Sequence, residues 1–486
     1  MFVSKTDING QDGLNWKSYA FSVALLTFAG LIIYSPSYFI VEKYYGDAYS
    51  YLTLAKGLRH FHYILPFERH LKFMPAYPLS ILSLNLLSLG LIDYISSAKL
   101  VTMLSFMAAA VLIFDYILFQ TRNYRLAILG GLVSILSPIS IYCSGNIISE
   151  PLFTLFAIAA FLFNLKGRLY WAWLFASFSI LTRYEGIFVA LTLILMDWKK
   201  PRQLVMGLII CLVLYSPWIW HILSNFGKFF AFSYPIELIN YGRRTGPVFF
   251  YDIFIYLSPL IAILGVIGIS KWPGRQRLGT IAFVSGFTAI HLIWYFRSSR
   301  FVIPLVPFFA VGSAFSIKYA ADKAVSFSKH GFLYAYIAVI LAMIPFDIYS
   351  YSSLEKISED PLKETVQAIL KYDASAVVLA NIEPTLFYWY GGNKIYSWID
   401  LNQGKNPYSW VAEQYLNNGA RYLVWSRTDD YSLLRFKELA GKDDASVEVE
   451  YLGRQYILRF SQAIILKNKD MTIYFLELKP ASTQSK

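Results

Sequence analysis

The chain has 486 residues, 56% of them hydrophobic and only 15% charged, with a mean hydropathy of +0.46. A soluble domain averages about 25% charged residues, so a soluble globular class is excluded. The formal net charge of +12 does not point to nucleic acid. The basic residues cluster in short segments between apolar runs, and no basic stripe with interleaved aromatics occurs.

Apolar runs near 18–35, 96–119, 124–142, 150–165, 170–184, 186–198, 203–222, 251–270, 278–296, 300–317 and 331–350 predict about eleven membrane-spanning helices across a ~30 Å hydrocarbon core. No small-residue cleavage site follows the first run, which reads as a retained anchor. With the N-terminus cytoplasmic, the inner connections are "TRNYR" (121–125), "KGR" (166–168), "WKKPRQ" (198–203), "KWPGRQR" (271–277) and "KYAADKAVSFSKH" (318–330). All are basic, as the positive-inside rule requires. An odd number of spans then places the C-terminal tail outside. The two cysteines, Cys143 and Cys211, form no CxxC pair, so neither a zinc site nor a disulfide framework is implied.

The first outer connection, 36–95, is too patterned for plain loop. "DAYSYLTLAKGLRHF" (47–61) places Tyr51, Leu54, Leu58 and Phe61 on one side and Lys56, Arg59 and His60 on another. This predicts an amphipathic helix on the membrane surface. The run 79–92 is short for a span and reads as a second interfacial or re-entrant helix.

Ionisable residues of both signs gather on the outer side: Asp47, Arg69, Glu150, Arg183, Glu185, Arg243, Arg244, Arg297 and Arg300. A charge at the centre of a spanning helix costs about 2.5–3.5 kcal/mol on insertion scales. Charges at the edge still need partners or a wet cavity, so Glu150, Arg183, Glu185, Arg297 and Arg300 are expected around one external cavity. Pro36, Pro138, Pro151, Pro217, Pro259, Pro304 and Pro307 fall in the outer parts of their spans, where broken helices line cavities or simply end.

From about residue 351 the composition changes to that of a small α/β domain. A helix is expected over 357–372, strands over 375–380, 421–425 and 471–478, and a helix over 410–419. A hairpin is expected around Gly453 and Arg454. The tail carries no glycine-rich phosphate loop and no catalytic-triad signature.

Four stretches now stand out together: "GDAYSYLTLAKGL" (46–58), "SEPLFTLF" (149–156), "LTRYEG" (181–186) and "RSSRFVIPLVPFF" (297–309). In this order and sidedness they resemble the GT-C membrane glycosyltransferases, and most nearly glycosyltransferase family 39 and its relatives. That group includes protein mannosyltransferases and aminoarabinose transferases. The resemblance covers about 20–350. It implies a helical polytopic catalytic domain over 1–350 and an extracytoplasmic α/β domain over 351–486. The implied activity is transfer of a monosaccharide from a polyprenyl-phosphate carrier to a hydroxyl acceptor on the outer face of a plasma or inner membrane, with inversion. The family's first-loop aspartate maps to Asp47 and its acidic residue after the third span to Glu150. The glutamate at 150, where many members have aspartate, and "RYEG", where many have other residues, depart from the pattern.

Chemically, Asp47 suits a general base, assisted by Glu150. Arg183, Arg297 and Arg300 suit the donor phosphate, because a guanidinium fork binds it bidentately. Tyr49, Tyr184, Glu185 and Arg69 are expected to contact substrate. A divalent metal (Mg, Mn or Zn) on Asp47 and Glu150 is a further expectation, with His60, His62 and His70 as added ligands. Plainer readings stand beside these. Asp47 and Glu150 each start a helix, where a carboxylate caps or meets the dipole. Arg183 and Glu185 can pair with each other, and the outer arginines can be simple flanking charges. Competing functions are a lipid-linked substrate transporter or flippase and a glycan polymerase or ligase.

Overall fold

The computed structural model describes residues 15–41, 47–65, 73–227, 246–293, 298–323, 331–354, 361–380, 384–392, 394–396, 406–426, 436, 439, 442–465 and 471–481. Of the described residues, 75% are helical. The chain divides near Ser358 into a helical unit and a C-terminal unit.

The helical unit opens with α1 (Trp16–Ile40), started by the Asn15 side chain, which accepts from Lys17 N at 2.9 Å. Next come α2 (Asp47–Leu58), α3 (Ala76–Leu87) and the long α4 (Tyr94–Thr121). They are followed by α5 (Tyr124–Ile135), α6 (Pro138–Cys143), α7 (Glu150–Leu165) and α8 (Leu169–Thr182). A 3-10 turn, Tyr184–Gly186, leads into α9 (Ile187–Asp197) and α10 (Pro201–Phe226). The unit continues through α11 (Gly246–Leu257), α12 (Pro259–Lys271) and α13 (Gly274–Ile293). A second 3-10 segment, Ser299–Leu305, then runs directly into α14 (Val306–Lys323), and α15 (Gly331–Leu354) ends the unit.

Among the described residues, four helices are long and apolar enough to cross a membrane alone: 16–40, 94–121, 201–225 and 299–323. The second and fourth are mostly enclosed by the others, whereas the first and third lie at the rim with most of their apolar surface outward. Several other expected spans are shorter or broken. The run 251–270, expected as one helix, bends by 102° between α11 and α12. The break falls at Ser258, whose φ is +67°, with Pro259 following. Proline pushes its predecessor out of helical backbone, and the Ser258 Oγ then caps α12 by accepting from Ile261 N. The run 124–142 is likewise two helices, parted before Pro138.

The bundle's tightest seam joins α12 to α14. A Cβ on Gly268 would stand 1.6 Å from the Gly312 carbonyl oxygen. Only glycine lets the two backbones meet this way, as small residues do at membrane helix crossings.

The first-loop helix differs from its expected form. Lys56, Arg59 and His60 are exposed as expected, but ahead of them α2 is buried from Ala48 through Ala55 without interruption rather than along one side only. Neighbouring elements cover both faces. The Tyr51 ring meets those of Phe73 and Tyr77 edge-on, each at 5.0 Å, and its hydroxyl shares a hydrogen with Ser149 Oγ at 2.8 Å.

At the opposite end of the bundle a polar network ties α4, α7, α9, α10 and α13 together. Lys166 Nζ lies 3.1 Å from Asp115 Oδ2. Asp197 accepts from Asn164 Nδ2 through one oxygen and from Lys200 Nζ at 2.9 Å through the other. Gln276 Nε2 donates to Asn164 Oδ1 at 2.8 Å, and the Tyr116 hydroxyl donates to Gln276 Oε1 at 3.1 Å. Trp272 Nε1 and Gln120 Nε2 both donate to that hydroxyl.

The C-terminal unit holds α16 (Pro361–Tyr372), β1 (Val377–Ala380), α17 (Pro384–Trp389), β2 (Lys394–Tyr396), α18 (Pro407–Asn418), β3 (Tyr422–Ser426), β4 (Asp444–Tyr451), β5 (Arg454–Ile465) and β6 (Met471–Pro480). The sheet order is β2-β1-β3-β6-β5-β4. The β1 strand runs parallel to β2 and β3; the remaining pairings are antiparallel. The β4–β5 turn falls on Leu452 and Gly453, both at positive φ, one residue earlier than expected. Two such residues in a two-residue loop match the strands' twist. Tyr408, Val411 and Ala412 of α18 pack with Trp425, Leu458, Phe460 and Tyr474 to form this unit's core. The strand β2 and helix α17 were not anticipated; both are very short.

Candidate active site

Asp47 opens α2, and Glu150 opens α7 immediately before Pro151. Proline suits a helix's first turn because its missing N–H has no partner there anyway. Arg183 sits in extended backbone between α8 and the 3-10 turn, and Glu185 lies within that turn. Gly186 lets the turn fold back on α8, because a Cβ there would stand 2.3 Å from Ile180 N. Arg300 lies in the second 3-10 segment, where Pro304 denies the backbone an α-helical hydrogen bond.

These five residues, far apart in sequence, form one alternating network. Arg300 Nη2 donates to Asp47 Oδ2 at 2.5 Å, and its Nε lies 3.2 Å from Glu150 Oε1. The same Glu150 oxygen accepts from Arg183 Nη1 at 2.8 Å. Arg183 Nη1 also reaches Ser149 Oγ at 3.2 Å, and its Nη2 donates to Glu185 Oε1 at 2.8 Å. Both guanidiniums stand near the Phe301 ring, 5.8 and 5.6 Å from its centroid. The carboxylates differ in access: Glu150 is 1% exposed, whereas the Asp47 side chain is 24% exposed.

The network is incomplete. Glu150 Oε2 and Arg183 Nε are buried and make no hydrogen bond among the described residues. Leaving a buried polar atom unsatisfied costs about 1–3 kcal/mol, and more for a charged group. An acceptor and a donor are therefore both left open beside one another's residues, which suits a ligand carrying both a hydroxyl and an anionic oxygen.

The other expected residues are distributed as follows. Tyr49 is buried on α2, two positions past Asp47. Tyr184 is half-buried in the 3-10 turn beside Arg183. Arg69, Arg243, Arg244, Arg297 and His70 lie outside the described residues. His60 and His62 are exposed past the end of α2. Among the described residues no three His, Cys, Asp or Glu side chains group as metal ligands. A guanidinium already bridges Asp47 and Glu150, so a metal between them would have to displace Arg300. Among the described residues Asp47 and Glu150, with Arg300 between them, do not make up a metal shell.

Sequence reasoning missed several members. Ser149 and Tyr51 lie inside the quoted stretches, but the sequence marks Tyr51 only as an apolar-side residue of the 47–61 helix and gives Ser149 no role. Tyr77 donates to Ala98 O at 3.2 Å and packs against Tyr51. Lys99, buried on α4, donates to Val41 O at 2.8 Å and so fastens the end of α1 ahead of Asp47. An intramembrane lysine was itself a signal. His291, a lone histidine in an apolar run, places Nε2 3.9 Å from Glu185 Oε1.

No family model matches the sequence, and no curated protein matches it. Solved structures do match. ArnT from Cupriavidus metallidurans bound to undecaprenyl phosphate superposes with a TM-score of 0.63 at 12% identity, over 93% of this chain and 97% of that one. The same protein in the apo state gives 0.62 at 12% identity, over 94% and 98%. The chain therefore shares the fold of that ArnT. Within this fold, the charged network draws on α2, α7, the turn after α8 and the segment before α14, so it is a product of the whole bundle.

Proposed function

We propose that the chain is a membrane glycosyltransferase that moves a monosaccharide from a polyprenyl-phosphate carrier to a hydroxyl acceptor. The observation that supports this most directly is the network in which Arg300 and Arg183 alternate with Asp47, Glu150 and Glu185, leaving one acidic oxygen and one guanidinium N–H open. The fold adds support, because the ArnT that it resembles binds undecaprenyl phosphate.

On this reading the acceptor hydroxyl gives its proton to Asp47, the more accessible carboxylate. Its oxygen bonds to the anomeric carbon as the bond from that carbon to the phosphate oxygen breaks. Attack opposite the leaving group inverts the configuration. The phosphodiester monoanion departs as a polyprenyl phosphate monoester with one further negative charge. Arg183 and Arg300 offset that charge; positioned cations act where charge develops in the transition state. Glu150 holds both arginines in place. Tyr49, Tyr184 and Glu185 bound the substrate space, and Arg69 and Arg297 are proposed to add to the phosphate and substrate contacts.

The site is proposed to face outward, with the N-terminus cytoplasmic, 1–350 as the catalytic domain and 351–486 as an extracytoplasmic α/β domain. The test is transfer by the purified protein from a panel of polyprenyl-phosphate hexoses and pentoses to lipid, glycan and peptide hydroxyls, with anomeric configuration read by NMR. Release of sugar with inversion is expected. Running the panel with chelator and with added Mg²⁺, Mn²⁺ or Zn²⁺ reads any metal requirement. Movement of an intact lipid-linked sugar across vesicles, with no sugar released from any donor, would overturn the reading in favour of a transporter.

A further inference from the structure

His291 takes no part in the chemistry above, yet its imidazole is tightly constrained. Its ring is walled by Phe249, Phe287 and Phe301, with centroids at 5.4, 4.3 and 4.8 Å. Its Nδ1 lies 2.8 Å from the Phe287 carbonyl oxygen. A carbonyl only accepts, so Nδ1 carries a hydrogen. In the neutral ring Nε2 is then a bare acceptor. It faces another acceptor, Glu185 Oε1, at 3.9 Å. That oxygen is fixed from the other side by Arg183 Nη2.

Two acceptors cannot bond to each other. At this separation they can receive hydrogens from one ligand bearing adjacent donors, each at an ordinary ~2.7–3.0 Å. A phosphate brings only acceptor oxygens and would meet a carboxylate, and a polyprenyl tail brings no donors. Neighbouring hydroxyls on a sugar ring bring two O–H groups on one rigid frame. Their capture here would place the sugar within one residue, Arg183, of the groups assigned to the phosphate and Glu150.

We propose that Glu185 and His291 form the sugar subsite, accepting hydrogens from adjacent ring hydroxyls of the donor monosaccharide. This rests on the glycosyl-transfer reading. It makes the pair determinants of which sugar is used, distinct from the residues that move the proton.

The test has two arms. The first uses the polyprenyl-phosphate sugar turned over in the panel and its mono-deoxy analogues. For the unaltered protein, removing a hydroxyl held by the pair should lower kcat/KM about 10–100-fold. His291→Phe keeps the ring packing and should lower kcat/KM for the full sugar by a similar factor, mostly through KM. It should then lose nothing further with the critical deoxy sugar. His291→Gln, which can present an amide oxygen, should recover part of the loss. Equal penalties for every deoxy sugar in the unaltered protein and in His291→Phe would overturn the subsite.

The second arm needs no turnover. In ¹⁵N-histidine-labelled protein at neutral pH, His291 should be the neutral tautomer with hydrogen on Nδ1. An imidazolium would make the pair an ordinary ion pair and remove the case for a ligand between them. If no donor in the panel releases sugar, the transfer reading fails and the subsite assignment falls with it, whatever the tautomer. If sugar is released but the penalties are equal, only the subsite fails.

Discussion

Charge is buried at both ends of the helical unit, with different degrees of completion. At the far end Asp197 receives Asn164 through one oxygen and Lys200 through the other, and Asp115 meets Lys166. Among the described residues no buried charged atom of that network is left without a partner; its buried open atom is an amide oxygen, on Gln120. At the site end one Glu150 oxygen serves two guanidiniums, while its second oxygen and Arg183 Nε serve nothing among the described residues. Buried networks stabilise when every member is satisfied and cost stability when they are not. A completed network is what holding helices together requires. An incomplete charged one, sustained against that cost, is what a ligand site looks like before its ligand arrives.

Three substitutions test this contrast. The largest effect is expected from Asp47→Asn, which keeps the side-chain shape and removes the base. Transfer should fall about 10²–10⁴-fold, read as initial rates with the thermal midpoint measured beside them. An undiminished rate would remove Asp47 from the base role. Next, Glu150→Gln should lower transfer by about 10²-fold with little change in midpoint, since Arg183 keeps Glu185 and Arg300 keeps Asp47. A collapse in midpoint would make Glu150 structural, like Asp197. The smallest effect on activity is expected from Asp197→Asn, which should cost about 1–3 kcal/mol of stability while the rate per folded molecule stays the same. A matching loss of rate would mean that the two ends are not independent.

The sequence carried the helical plan because apolar runs and basic turns follow directly from the bilayer's thickness and charge asymmetry. The five acidic and basic residues of the network were legible for the same reason: a charge near membrane depth is expensive enough to be conspicuous. Who pairs with whom was legible only where the partners are close in sequence. Arg183 with Glu185 is a local pairing that the text of the chain suggests, whereas Arg300 with Asp47 depends on how α14 is set against α2. The extent of burial of α2 was missed because the period-3.6 pattern reports an apolar side without saying how far round the helix its cover reaches; Lys56, Arg59 and His60 stay exposed, while Ser149, Phe73 and Tyr77 meet Tyr51 and burial runs unbroken from Ala48 to Ala55. The break at Ser258 was misread because a proline after an apolar run is compatible with either a kink or a new helix. His291 left no trace, since an isolated histidine in an apolar helix has no spacing to read.

The oxygen shared by Arg183 and Arg300 has a consequence for timing. Two cations anchored to one atom cannot respond separately. On the proposed function, a phosphate that drew Arg183 outward would disturb Glu150, and through it Arg300, which holds Asp47. Before the lipid arrives, the proposed base is occupied by its own arginine and poorly placed to activate a stray water. Arrival of the carrier would free it. Under the proposed function, this arrangement would guard an energy-rich glycosyl phosphate against wasteful hydrolysis, because reactivity would be switched on by the same molecule it must protect.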